Sequence, residues 1–276
     1  MSLDPGFRFS QSSLAAYSTC PRSFALRYLQ KLSWPAVVTE PVLEREKHLE
    51  NGKRFHLLIQ QYLAGMPAET VTRTINDDTL QVWWNNFINY NPLQNQEGRK
   101  LAEFTLSTRV HGFALDAKYD LLIVHHDHSF TIFDWKTNKS IPSAGKLENT
   151  LQTMVYRFVL AQSGSCLIGG SEPLPENIRM VYWYVEYPDQ PVDLLYSSAT
   201  LEKDSKRIST LIQEIDSLPL DAFSMTTNQK ICELCQYRSY CDRGISAGQW
   251  DPETETEESE NLLDSLNLDE IGEIAF

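Results

Sequence analysis

The stretch Gly112-Phe-Ala-Leu-Asp-Ala-Lys-Tyr-Asp-Leu-Leu-Ile-Val124, followed after four polar residues by Ser129-Phe-Thr-Ile-Phe-Asp-Trp-Lys-Thr137, decides how this chain folds. In its first half the odd positions Phe113, Leu115, Ala117, Tyr119, Leu121 and Ile123 are apolar, whereas the even ones include Asp116, Lys118 and Asp120. Apolar residues at every second position predict a strand with one polar face. His125-His-Asp-His128 breaks the pattern as a solvated turn, and the run after it is the expected hairpin partner. On that partner, alternation places Asp134 and Lys136 on one side of the sheet and Phe133 and Trp135 on the other. A hairpin then brings Asp120, near the end of its strand, beside Asp134.

Outward from this hairpin the signals are helical on both sides. Upstream, AEFTLSTRV (102–110) begins the strand series, with Glu103 a candidate outer carboxylate, and residues 76–92, containing Trp83, Trp84, Phe87 and Ile88, read as a helix. From about Leu43 to Leu63, Phe55, Leu58, Ile59, Tyr62 and Leu63 recur at helical spacing, which leaves His56 and Gly52 on the edge of the buried face. Residues 9–30 read as two short helices, with Ser10 or Ser12 capping the first, Pro21 opening the second and Cys20 at their junction. Downstream, residues 148–161 carry an apolar stripe with Gln152 and Tyr156 one turn apart at its edge. IRMVYWYVEY (178–187) is strongly strand-forming and 198–215 is a polar amphipathic helix. This order indicates one mixed α/β domain over residues 1–250 with helical additions, followed by an acidic segment, 251–276.

Composition sets outer limits. The 276 residues, 42% hydrophobic and 22% charged, exclude collagen-like, disulfide-scaffold and wholly disordered classes. No apolar run approaches the roughly 18 residues of a bilayer span, and Met1-Ser-Leu-Asp-Pro has neither the basic nor the apolar region of a secretory signal. The expectation is a cytoplasmic protein with no membrane partner. A net charge of −13 argues at first against a polyanionic partner, but residues 251–276 hold ten acidic and no basic side chains. The remaining 250 residues balance at −3, and residues 1–60 carry eight basic against five acidic groups. Phosphate binding depends on the local surface, so nucleic acid remains a candidate partner.

The polar groups suggest a chemistry. Hard divalent cations take oxygen ligands and keep several waters, so Asp120, Asp134 and the Trp135 carbonyl, with His56 nearby, are a natural cage beside a phosphate. Lys136, two residues past Asp134, is then placed to orient or activate the attacking water and to stabilise the charge of a pentavalent phosphorane. An isolated Asp-x-Lys is usually a solvated ion pair, and a lone histidine on a helix edge is usually an ordinary one. The ordered set weighs more than its members.

In that order the chain resembles the RecB-like branch of the PD-(D/E)xK nuclease superfamily, over nearly all residues up to about 243. Ser10-Gln-Ser-Ser-Leu-Ala-Ala-Tyr-Ser-Thr-Cys-Pro-Arg22 is similar to that branch's Cys-Pro-Arg segment, and Gly52-Lys-Arg-Phe-His56 to its metal-histidine motif. Ala117-Lys-Tyr-Asp120 is similar to its G-x-x-D strand, Asp134-Trp-Lys136-Thr137 to D-x-K-T, and Gln152 with Tyr156 to Q-x-x-x-Y. Ala117 stands where the branch often has glycine, and Asp116 competes with Asp120 on the same strand face. The resemblance implies a restriction-endonuclease-like mixed central sheet flanked by helices. It implies ligation of Mg2+ or Mn2+ by His56, Asp120, Asp134 and the Trp135 carbonyl, a catalytic set of Lys136, Asp134 and Asp120, and support from Gln152 and Tyr156. The implied activity is that of a metal-dependent deoxyribonuclease, an exonuclease on single-stranded DNA or strand ends, in repair, recombination or foreign-DNA processing. The other reading is a noncatalytic DNA-binding or assembly module that retains the fold.

Arg22 and Arg54, with Arg27, Lys53 and Arg157, are candidate phosphate contacts. Trp83, Trp84, Phe87 and Tyr90 either stack on bases or, as their helical spacing favours, pack internally. Cys232-x2-Cys235-x5-Cys241 is a compact chelating set, and a fourth thiolate is available from Cys20 or Cys166. Four thiolates suit either a [4Fe-4S] cluster or a structural zinc. Similarity to the Fe-S-containing, CRISPR-associated and AddB-type nuclease domains implies the cluster, held by Cys20, Cys232, Cys235 and Cys241 and joining the N- and C-terminal segments. The acidic segment, punctuated by Leu262, Leu263, Leu266 and Ile271, is expected to dock on a protein partner such as a helicase or CRISPR-type complex, to cover the basic groove, or only to solubilise.

Overall fold

The computed structural model describes residues 3–32, 40–233 and 235–244, and the acidic segment 251–276 lies outside them. The hairpin is present as β3 (Phe113–Val124) and β4 (Phe130–Lys136), paired antiparallel from Leu121–Phe133 to Val124–Phe130. β2 (Arg99–Val110) pairs antiparallel along the whole of β3 through a tight turn at His111-Gly112, where positive φ favours the glycine. β5 (Ile178–Tyr184) lies parallel to β4 and is almost wholly buried, as expected of a parallel strand covered on both faces. Two short strands complete a mixed six-stranded sheet: β1 (Arg8–Ser10), parallel to β3 at Ala114–Asp116, and β6 (Val192–Leu195), antiparallel to β5. The sequence reading missed both, because three or four residues are too few to establish a period.

Helices cover each face. On one side lie α1 (Gln11–Thr19), α2 (Pro21–Phe24), α7 (Leu151–Ser163) and α8 (Ser198–Ser217), whose Leu14, Val155, Val159, Ile208 and Ile212 join one core. On the other lie α3 (Glu40–Leu63), α4 (Ala68–Thr72) and α5 (Asp78–Tyr90), packed through Phe55, Ile59, Trp83, Trp84 and Phe87 against Phe133, Trp135 and Trp183. Trp83, Trp84 and Phe87 are therefore core residues, which removes them as base-stacking groups. α1 starts at a Ser10 cap with reciprocal bonding to Ser13, and Pro21 opens α2 with Cys20 as its cap. Because parallel strands require a crossover, the chain passes from β4 to β5 through α6 (Ala144–Glu148) and α7.

The regular alternation expected along β3 does not hold. Leu115, Ala117 and Tyr119 face the α7 and α8 side, but Leu121 and Ile123 belong to the α3 and α5 core while Leu122 and Val124 take the first side. The faces exchange at Asp120. β2 switches alongside, since Leu101 packs on the same core as Phe104 and Leu106.

The N- and C-terminal segments meet around α2 and α9 (Gln229–Glu233). Phe24 stacks on Phe223, the Arg22 N–H donates to the Ser224 carbonyl at 2.9 Å, and the Tyr237 hydroxyl donates to the Leu32 carbonyl at 3.0 Å. Leu26, Cys235 and Tyr237 form a small separate core there. Among the described residues no helix is long and apolar enough to cross a membrane.

Arg157 does not reach the surface as a phosphate contact should. It is fully buried between α7 and α8, 3.3 Å from Asp204 Oδ2, with its guanidinium 4.5 Å from the Tyr196 ring centre. Burial holds the Asp204 carboxyl above its usual range against the pull of Arg157. Breaking such a pair leaves one charge uncompensated, so Arg157→Ala is expected to destabilise the protein by about 3–5 kcal/mol in urea unfolding, whereas Arg157→Met with Asp204→Leu recovers most of that loss.

Candidate active site

The site begins where β3 and β4 part. Their ladder ends at Leu121–Phe133, and beyond it β4 pairs with β5 alone while the far half of β3's edge is taken by β1. Trp135 then has an N–H and a carbonyl directed into the gap, and side chains take the place of the missing strand. The Trp135 N–H donates to Asp120 Oδ2 at 2.8 Å, and His56 Nε2 lies 3.0 Å from the Trp135 carbonyl oxygen. His56 Nδ1 is 3.3 Å from Asp120 Oδ1, which closes a ring of three groups from three elements.

Packing of α3 fixes the histidine. Phe55 and Ile59 are buried, and Phe55 and Phe87 meet edge to face, with Phe87 in turn against Trp135. His56 is thereby held at the helix edge above β4. Gly52, one turn earlier, lies so near Thr137 that an added Cβ would stand 3.4 Å from its hydroxyl oxygen.

On the other side of the gap a second group forms. Asp134 is almost fully buried and its Oδ2 lies 3.0 Å from Lys136 Nζ. Gln152 bridges the pair: its Nε2 donates to Asp134 Oδ1 at 2.8 Å and its Oε1 accepts from Lys136 Nζ at 2.9 Å. The same amide reaches the Tyr156 hydroxyl at 3.4 Å, and the Tyr119 hydroxyl donates to the Tyr156 carbonyl at 3.0 Å. α7 is itself held to β5 by Thr153 Oγ1 against the Tyr182 hydroxyl at 2.7 Å.

His56, Asp120, Asp134, Trp135, Lys136, Gln152 and Tyr156 thus converge from four elements. Asp116, the competing aspartate, lies on the half of β3 covered by β1, where Arg8 grips it with two hydrogen bonds. Arg54 is exposed and ion-paired to Glu50 at 3.0 Å, while Arg22 lies on α2 beside the C-terminal segment. What the sequence reading undervalued is Glu103. A carboxylate oxygen of Glu103, a ring nitrogen of His56 and a carboxylate oxygen of Asp120 lie within 4.8 Å of one another. The face exchange explains the oversight, because strict alternation gives no reason for the two strands to turn together here.

Charge is distributed unevenly across this group. Burial works against a protonated His56, but the charge and hydrogen bond of Asp120, with Asp134 and Glu103 beyond, outweigh it and raise its pKa to about 9. Burial likewise opposes ionisation of Asp120, yet the His56 charge and hydrogen bond, the Trp135 N–H and Lys136 hold its carboxyl below the usual range. At Asp134 burial dominates; Lys136 opposes it, Asp120 adds to it, and the pKa rises to about 6. Burial also pushes the Tyr156 phenol well above its ordinary range, so it stays a proton donor. At neutral pH the imidazolium can donate to both Asp120 and the Trp135 carbonyl, a proton-carried positive charge between oxygens suited to a metal.

The donors fit a hard divalent cation. They are carboxylate and carbonyl oxygens with one imidazole, and the buried Asp134 carboxylate is among them. Without metal, His56 binds its proton more tightly folded than unfolded, so its contribution to stability is complete below about pH 6.5 and lost as pH rises through about 9. Metal-free protein is expected to lose stability across that window, on the order of 2 kcal/mol after screening at this partly exposed ring, and His56→Gln to flatten the slope in unfolding measured from pH 6 to 10.

No curated protein sequence matches the chain. Sixteen chains of solved structures do, among them that of SSO0001, with a TM-score of 0.44 at 14% identity over 87% of each chain. A profile described as the PD-(D/E)XK nuclease superfamily matches residues 8–242, which include the whole sheet, both helical layers and the converging polar groups, and the chain belongs to that superfamily.

Proposed function

We propose that this protein is a divalent-metal-dependent deoxyribonuclease that hydrolyses phosphodiester bonds in single-stranded DNA or at strand ends. The observation that carries the reading is the Asp134–Gln152–Lys136 triangle beside the His56, Asp120 and Trp135 carbonyl ring. Mg2+ or Mn2+ would be held by Asp120, Asp134, His56 and the Trp135 carbonyl and would supply Lewis-acid charge for phosphate and a lowered pKa for water. The chain's own residues do the rest. Gln152 fixes the Lys136 ammonium at one end and Asp134 at the other, so the lysine is oriented before substrate arrives. That ammonium is the hydrogen-bond donor available to the attacking water or to a phosphate oxygen as negative charge grows. Asp120 is pinned by the Trp135 N–H, and Tyr156 backs Gln152 without ionising.

End-labelled single- and double-stranded DNA incubated with Mg2+, Mn2+ or EDTA tests the assignment. Lys136→Ala is expected to lower cleavage at least about a hundredfold, the scale of removing one transition-state donor, in a protein that still folds. Full activity in that variant, or cleavage that survives EDTA, refutes the mechanism.

We further propose that Cys20, Cys232, Cys235 and Cys241 hold a [4Fe-4S] cluster, with zinc as the other candidate. In support, Cys20 and Cys235 are buried where the terminal segments meet. Burial raises the Cys235 thiol to about 11, and the Cys20, Cys232 and Cys241 sulfurs add to the rise. Thiols so placed are protonated without metal, and binding must release those protons. The link spans residues 20 to 241 and, by analogy with a disulfide, stabilises on the order of 5 kcal/mol. Anaerobically purified protein is expected to absorb visible light and Cys235→Ser to be colourless and less stable; a zinc-loaded, colourless wild type selects the other metal.

A further inference from the structure

Glu103 occupies a conformation that its strand does not call for. Its φ is +51°, the left-handed region, although Ala102 faces Leu121 and Phe104 faces Tyr119 in unbroken register on either side. A non-glycine residue held there is strained and persists only where its surroundings fix it. The same register sets Glu103 opposite Asp120, at the point where both strands exchange faces.

Two lobes of acceptors result. Asp134 is committed on one side to Gln152 and Lys136. On the other, donors of Glu103, His56 and Asp120 lie within 4.8 Å of one another. Ligands of Mg2+ sit about 2.0–2.1 Å from the ion in octahedral geometry, so trans ligands stand about 4.2 Å apart and cis ligands about 3 Å. His56 and Asp120, 3.3 Å apart, are already near cis spacing, and Glu103 closes on them when an ion enters. Glu103 also pairs through Oε2 with Lys118 at 3.0 Å, but that lysine is 53% exposed and such a pair contributes little. Glu103 beside Asp120, with Asp134 nearby, gathers like charges that repel one another and favour a shared cation.

We propose that Glu103 is a direct ligand of the active-site cation, completing with His56 and Asp120 the lobe that faces away from Lys136. This rests on the metal-dependent reading above and adds a donor to it. It also gives the left-handed residue a purpose, since the turn in β2 is what brings a carboxylate from the third strand to the gap.

Mn2+ binding to the full chain, followed by loss of the free-ion signal in electron paramagnetic resonance, tests this without reference to cleavage. Glu103→Gln is expected to weaken binding by about tenfold or more, and Glu103→Asp, which keeps the charge but shortens the reach, not to restore it. Wild-type affinity in Glu103→Gln overturns the ligand role alone. Restoration by Glu103→Asp also overturns it, because the carboxylate then acts only as charge at a distance. If the wild type binds no Mn2+, the metal-dependent reading falls and this inference with it.

Discussion

The parting of β3 from β4 is the constraint on which the rest of the structure depends. A sheet that stayed paired to the end of β4 would satisfy its own backbone and have no polar vacancy. Here one ladder stops at Leu121–Phe133, and two main-chain groups of Trp135 are left for side chains to satisfy. Buried backbone groups demand partners, so the vacancy selects an acceptor and a donor. Asp120 and His56 are those groups, and their presence makes a structural repair into a polar pocket. Large apolar cores flank this opening on both faces, and the Trp135 ring anchors β4 in one of them, edge to face with Phe87 of α5.

Within the pocket, electrostatics divides labour between two carboxylates one strand apart. Asp120 is kept charged by its neighbours, whereas Asp134 sits where burial resists ionisation and Lys136 only partly compensates. Gln152 is the element that reconciles them. Its amide presents a donor to one group and an acceptor to the other, so neither Asp134 nor Lys136 can rotate without losing a bond. A membership established over residues 8–242 and a pocket of this composition agree on nucleic-acid hydrolysis.

Much of this was legible in the sequence, for identifiable reasons. The strand at 130–136 is bounded by turn residues and its last four positions alternate, so Asp134 and Lys136 fall on one face and Phe133 and Trp135 on the other. α3 and α7 have uninterrupted apolar stripes, which fixed His56, Gln152 and Tyr156 at helix edges. Two things were not legible. Strands as short as β1 and β6 carry no period, and without β1 there was no reason to assign Asp116 to a separate, arginine-bound position. The face exchange at Asp120 was hidden because Leu121-Leu-Ile-Val124 is apolar at every position, so either phase of alternation fits it. Arg157 failed as a surface contact because a basic residue in an otherwise apolar helix segment gives no sign of a buried aspartate forty-seven positions away.

The place of β1 bears on when the pocket can exist at all. This strand precedes β3 by more than a hundred residues yet lies along its edge, and the lysine, its glutamine clamp and the parallel neighbour of β4 follow later still. Contacts of such long sequence separation close late and slowly. A chain made only as far as β3 therefore carries the histidine helix and β2 without the opening they serve, and the pocket is complete only once Lys136, Gln152 and β5 have followed.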